Sequence, residues 1–137
     1  MNAIQTRLIQ EHWAVVKDNS KLIGRSLYEK LFYKAPFIRH LFNEDITEQS
    51  CKLAAVINFV VSKLHRLDDI LTDIKDIGRK HRQYKLTEQD FKIVGDCLFE
   101  AIKENDSDLW NEKLENAWKD LYTILMRTMM EAGKGDT

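Results

Sequence analysis

A single proline, Pro36, and five glycines interrupt the 137 residues, and two of those glycines, Gly133 and Gly135, stand close to the C-terminus. So few chain breakers in a chain rich in Leu, Ile, Lys and Glu exclude the turn-dense β architectures and point to helices. Cysteine is almost as scarce. Cys51 and Cys97 lie far apart, with none of the short spacings of a metal ribbon or a disulfide scaffold. Both sit among apolar neighbours, so the expectation is two buried thiols in a reducing compartment. No apolar run approaches the roughly 18 residues that a membrane span needs. The segment from Met1 to Gln10 lacks the basic-then-apolar layout of a secretory signal. These absences predict a cytoplasmic protein with no membrane partner. An excess of positive charge is missing too: 21 basic against 22 acidic residues give a formal charge of −1. Nucleic acid and anionic lipid both select for basic surfaces, so neither is expected as the main partner.

The length suits one domain and suffices to bury a core without disulfide staples. Apolar residues make up 44%, and the 31% of charged residues suits solvated helix faces. The predicted fold is all-α, with six long helices and one short one forming a domain over 1–132, followed by a flexible tail over 133–137. Periodicity places a first helix over Ala3–Lys17, with Ile4, Leu8, His12 and Val15/Val16 along a face. Asp18-Asn19-Ser20 breaks it, and a second helix runs over Lys21–Lys34. Pro36 forces a new start for a short helix reaching Phe42. After a loop over Asn43–Ile46, a long helix covers Thr47–Arg66. Leu67 to Asp69 lead into a helix over Ile70–Gln83. Thr87-Glu88-Gln89-Asp90 has the form of a capping box opening a helix that ends near Glu104. Past a polar loop over Asn105–Asp108, the last helix covers Asn111–Glu131.

Three stripes bear on function. Ile70, Ile74, Ile77, His81 and Tyr84 follow one another at spacings of 4, 3, 4 and 3 residues, while Asp73, Lys75, Asp76, Arg79, Lys80 and Arg82 occupy the other faces. His81 thus lies on a buried stripe, either as a core histidine bonded to a backbone carbonyl or as a haem ligand, which needs a neutral imidazole in an apolar slot. On the helix from Thr47, Gln49 heads a stripe continued by Leu53, Val56, Val60 and Leu64. It is either a first-turn surface residue or a donor guarding a pocket mouth. On the second helix, Gly24, Tyr28, Leu31 and Ala35 share a face. A glycine inside a helix permits a close crossing, for which Ser50 is the expected partner. Tyr28, one turn on, points into the same interior and needs a partner for its hydroxyl, backbone or otherwise. Phe91, Val94, Leu98 and Ala101, like Leu114, Trp118, Leu121, Leu125 and Met129, read as core. His12, His40 and His65 read as structural or surface residues.

The order of these features resembles the globin domain of the flavohaemoglobin lineage. Ser26-Leu27-Tyr28-Glu29-Lys30-Leu31-Phe32, through Pro36 to Leu41-Phe42-Asn43, is similar to that family's first block. Ile77-Gly78-Arg79-Lys80-His81-Arg82-Gln83-Tyr84 is similar to its proximal-histidine segment, and Ile93-Val94-Gly95-Asp96-Cys97-Leu98 and Ala117-Trp118-Lys119-Asp120-Leu121-Tyr122 to later blocks. The likeness spans about residues 4 to 130 and is greatest to the Hell's Gate type of single-domain bacterial globin. It implies haem b (iron protoporphyrin IX) with His81 as metal ligand, Phe42 packed on the haem face and Leu53 over the iron. It also implies Tyr28 and Gln49 as distal donors, and Ile77 and Val94 as further lining. Reversible binding of O2, with NO and CO as other diatomic ligands, is the implied activity. NO dioxygenation would need an unidentified external reductase. An oxygen carrier without turnover, a haem-based sensor and a haem-free signalling globin are the other readings. The family's tyrosine ten residues after the proximal histidine is here Phe91, its late acidic residue has no clear counterpart, and no G-x-G-x-x-G of a dinucleotide domain is present.

Overall fold

The structure, a computed structural model, describes residues 1–42 and 45–134. Six α-helices dominate: α1 (Ala3–Val16), α2 (Ser20–Lys34), α3 (Ile46–Ser62), α4 (Leu71–His81), α5 (Glu88–Glu104) and α6 (Glu112–Lys134). Short 3₁₀ segments over Lys17–Asn19, Pro36–Leu41, Leu64–Ile70 and Arg82–Tyr84 join them, and no strand occurs among the described residues. The expected short helix is the Pro36–Leu41 segment, started by the proline. Of the expected loop over Asn43–Ile46, Asn43 and Glu44 lie outside the described residues, as do Gly135 to Thr137 of the expected tail. Gly133 and Lys134 themselves extend α6.

Local chemistry sets the helix starts. The Asn2 side chain accepts from the Gln5 backbone N–H at 2.8 Å and opens α1. Asp45 accepts from the Glu48 N–H at 2.8 Å and opens α3. The Thr87 box closes both ways, Asp90 N–H to Thr87 Oγ1 at 3.1 Å and Thr87 N–H to Asp90 Oδ2 at 2.9 Å.

The core gathers Ile9, Trp13 and Val16 from α1, Ile23, Leu27 and Leu31 from α2, Ile102 from α5, and Trp118 and Leu121 from α6. Two glycine crossings set helix separations. A Cβ on Gly24 would stand 2.9 Å from Ser50 Cβ and 3.0 Å from its Cα, so α2 and α3 touch backbone to backbone where expected. A Cβ on Gly78 would meet the Met129 carbonyl oxygen and stand 2.6 Å from its Cα, which locks α4 onto α6.

Four readings need correction. Ile4 and Val15 are 72% and 60% exposed; of the expected face His12 and Val16 are buried, and Ile9 and Trp13 join them in place of the other two. α3 stops at Ser62 rather than continuing to Arg66, whose φ of −133° and ψ of 49° break helical geometry. Val56 is exposed rather than part of the buried stripe, and Cys51 is only half-buried while Cys97 is fully buried.

Candidate cofactor pocket

The features that define a pocket begin with His81 at the C-terminal end of α4. Its Nδ1 lies 2.8 Å from the Ile77 carbonyl oxygen. A carbonyl only accepts, so Nδ1 carries the hydrogen and Nε2 keeps its lone pair. That is the tautomer, and the orienting second contact, of a metal-ligating imidazole. Both sequence-based alternatives for His81 are therefore compatible: the backbone bond is present, and it prepares the opposite nitrogen for a ligand. Tyr84 lies edge-on to the ring at a centroid distance of 5.7 Å, which fixes its plane further.

Ile77 and His81 on α4, Leu53 and Ile57 on α3, and Val94 on α5 are all half-buried, although each apolar member packs against the core. Among the described residues α3 and α4 make next to no direct contact. Two helices that carry half-buried apolar stripes without packing closely on each other suit a flat apolar group placed between them. The edge of this slot by the 3₁₀ segment is aromatic: Phe42 lies edge-on to Tyr28 at 5.4 Å and tilted to Phe32 at 5.6 Å.

Tyr28 is 9% exposed. Burial pushes its phenol from the ordinary 10.0 up to about 12, so the hydroxyl remains a hydrogen-bond donor at neutral pH. The Gly24–Ser50 crossing puts Tyr28, one turn after Gly24, and Gln49, beside Ser50, on adjoining stretches of two touching helices. Gln49 is half-buried in the first turn of α3. Phe91 is buried, and its carbonyl accepts from the Tyr122 hydroxyl at 2.6 Å. Its phenyl ring adds no polar partner for His81.

Sequence reasoning did not single out Ile57 or Gly78 for this region. Ile57 lies one turn beyond Leu53, and Gly78 is a helical glycine of the same kind as Gly24, so both signals were there to read. Among the described residues no group of three or more His, Cys, Asp or Glu gathers into a metal cage. Haem brings four pyrrole nitrogens of its own and asks only one imidazole of the protein. Apolar side chains on α3 and α4, an imidazole oriented through Nδ1, the buried Tyr28 hydroxyl and the half-buried Gln49 amide suit that group. No helix among the described residues is long and apolar enough to cross a membrane.

Comparison with known proteins agrees with this geometry. A globin-like protein of Aquifex aeolicus is 29% identical over 128 residues, covering 93% of this chain and 91% of that one. A flavohemoprotein of Oceanobacillus iheyensis is 26% identical over 123 residues, which span 88% of this chain but only 30% of that longer protein. A bacterial globin from Campylobacter jejuni has the same fold, with a TM-score of 0.84 at 21% identity over 98% of this chain and 97% of that one. The globin family profile matches residues 25–129. The chain belongs to the globin family, whose fold serves haem binding.

Proposed function

We propose that the protein binds haem b through His81 and uses it to bind O2 reversibly, with Tyr28 and Gln49 as donors to the bound gas. The observation that carries this reading is the His81 Nδ1 to Ile77 carbonyl bond, which leaves Nε2 with its lone pair on the stripe that borders the slot. Haem, when bound, supplies a ferrous iron able to take up a diatomic gas. The chain supplies everything around it. His81 holds and orients; Phe42, Leu53, Ile77 and Val94 exclude water; and the Tyr28 hydroxyl and Gln49 amide donate to a gas that draws negative charge. Gln49 would be a weak iron ligand, since its amide nitrogen has no free lone pair and its carbonyl oxygen is a neutral hard donor, and as a hydrogen-bond donor it would leave the gas-binding position open.

The same arrangement supports dioxygenation of nitric oxide, in which NO, O2 and one electron give nitrate. The electron comes from a separate reductase, and the likeness to part of a flavohemoprotein favours this role. NO and CO compete for the position that O2 takes.

Optical spectra of the haem-supplied protein test the reading. The expected result is a Soret band, a five-coordinate ferrous form and a sharp CO-induced shift, with His81→Ala losing haem retention. A normal ferrous spectrum in His81→Ala would overturn the ligand assignment. A six-coordinate ferrous form in the unmodified protein would overturn the open gas position.

A further inference from the structure

A recess of about 500 Å³ lies where α5 gives way to the connection toward α6. Its walls are Glu100, Lys103 and Glu104 of the helix and Asp106, Asp108 and Trp110 beyond it. None of the residues assigned to the haem lines it, so it stands apart from the slot. Four of the six wall residues are acids. Two of these are engaged by lysines: Glu104 accepts from Lys30, and Glu100 accepts from Lys34 at 3.0 Å. Four carboxylates thus meet three cations, Lys30, Lys34 and Lys103, and one negative charge is left over.

That excess has a place. Asp106 is fully buried, its Oδ2 lies 3.1 Å from His12 Nε2, and its Oδ1 has no partner. Oδ1 is therefore the acceptor that Asp106 has left to offer the recess it lines. Burying a carboxylate on a single ring N–H is costly, and a cation at the second oxygen offsets that cost. The neighbours narrow the kind of cation. Trp110 already gives its only N–H to Glu115 at 3.4 Å, so it meets a ligand with its apolar ring, whose face attracts cations. Among the described residues no group of three or more His, Cys, Asp or Glu is gathered to hold a metal ion. A guanidinium fork calls for both oxygens of one carboxylate, and Asp106 has one to give. A primary ammonium is a compact charge with three donors and can use single oxygens of separate carboxylates. The volume equals that of about sixteen waters at roughly 30 Å³ each, which leaves room for a short carbon chain behind the head.

We propose that this recess binds a small primary alkylammonium ion, its head at Asp106 Oδ1 and Asp108 and its chain along Trp110. The site goes beyond the function proposed above and does not rest on it.

Calorimetric titration with butylammonium chloride tests the site, with butan-1-ol as the uncharged counterpart and sodium chloride at equal ionic strength as the blank. The expected result is saturable one-to-one binding with a Kd of about 1 mM or tighter, the same with and without haem, and no saturable heat from butan-1-ol or sodium chloride. Asp106→Asn keeps an acceptor for His12 and removes the charge, and weakens binding about tenfold or more. Asp108→Asn, at a φ of 64° that asparagine tolerates, weakens it about threefold. Lys103→Gln removes a competing cation and tightens it about threefold. Circular dichroism confirms that each variant is folded. No binding of butylammonium, equal binding of butan-1-ol, or unchanged affinity in a folded Asp106→Asn would each overturn the site. Should Asp106→Asn not fold, the other two variants decide: opposite shifts support the site, and no shift in either overturns it.

Discussion

Under the proposed function Tyr28 has two roles, one in the fold and one toward the bound gas. Its ring packs on Phe32, one turn further along α2, and edge-on to Phe42, while its hydroxyl is a donor kept protonated by burial. Removing only the hydroxyl separates the two roles. Tyr28→Phe should keep the fold and speed O2 release by about an order of magnitude, the effect of losing one buried hydrogen bond worth about 1–2 kcal/mol. Stopped-flow displacement of O2 by CO measures it, and an unchanged rate would move the role to Gln49. The same phenol makes the fold sensitive to alkali. Its folded-state pKa of about 12 lies above the ordinary 10.0, so the folded chain holds the proton more tightly than the unfolded one. The associated stability is complete below pH 10 and falls away as the pH rises through about 12. Urea midpoints measured across that window should decline less steeply in Tyr28→Phe, because one of the groups that resists ionisation is gone. Tyr122 is pushed the same way, chiefly by burial, so part of the decline remains.

Among the elements, α4 carries the site and α6 holds α4 in place. Gly78 sits one turn before His81 and lies against the backbone of Met129. A methyl group has no room there, and backbone cannot swing aside as a side-chain tip can. Gly78→Ala should therefore cost about 2–3 kcal/mol, at the upper end for overpacking. It should also speed haem loss, since the helix must lift away from α6 and take His81 with it. Transfer of haem to an apoglobin acceptor measures the second effect, and a wild-type rate in Gly78→Ala would show that α4 position does not govern retention. Much at this scale was legible in the sequence. The Thr87–Asp90 box, the Pro36 restart and the Gly24–Ser50 crossing each follow from local chemistry that a residue carries wherever it stands. The misreadings have the opposite character. Ile4 and Val15 fit a helical period as well as Ile9 and Trp13 do, and only the position of α6, where Trp118 meets Trp13 edge-on at 6.1 Å, decides which face turns inward. The end of α3 at Ser62 has no glycine or proline to announce it. The break belongs to the tertiary path that leads through Arg66 into α4.

For the molecule as a whole, the least legible feature is a buried polar network that joins distant parts of the chain. Asp106 stands in a segment that reads as a polar loop, yet it is fully buried. Its Oδ2 lies 3.1 Å from His12 Nε2, and the Trp118 indole N–H donates to His12 Nδ1 at 3.0 Å. The indole can only donate, so Nδ1 accepts and Nε2–H donates to the carboxylate. Trp13 next door donates to Asn58 at 2.6 Å, and Gln10 to the Val61 carbonyl at 3.1 Å. α1 is thereby tied to α3 on one side and to α6 and the α5–α6 connection on the other. The connection is itself held under strain, with left-handed φ values of 56° at Ser107 and 64° at Asp108 directly after the anchor. Asp106 also buries a second oxygen, Oδ1, with no partner, so the carboxylate brings a cost along with its bond. Two substitutions should then differ sharply. Asp106→Asn keeps an acceptor for His12 and removes the buried charge, and should fall within about 1 kcal/mol of the unmodified protein. Asp106→Leu leaves the His12 N–H without a partner and frees the strained connection, and should cost about 2–4 kcal/mol in urea unfolding. Neither should alter the haem spectrum, because no residue of this network lines the slot. A spectral change in Asp106→Leu at temperatures where the chain stays folded would mean that the α1–α6 junction and the pocket are coupled through α6.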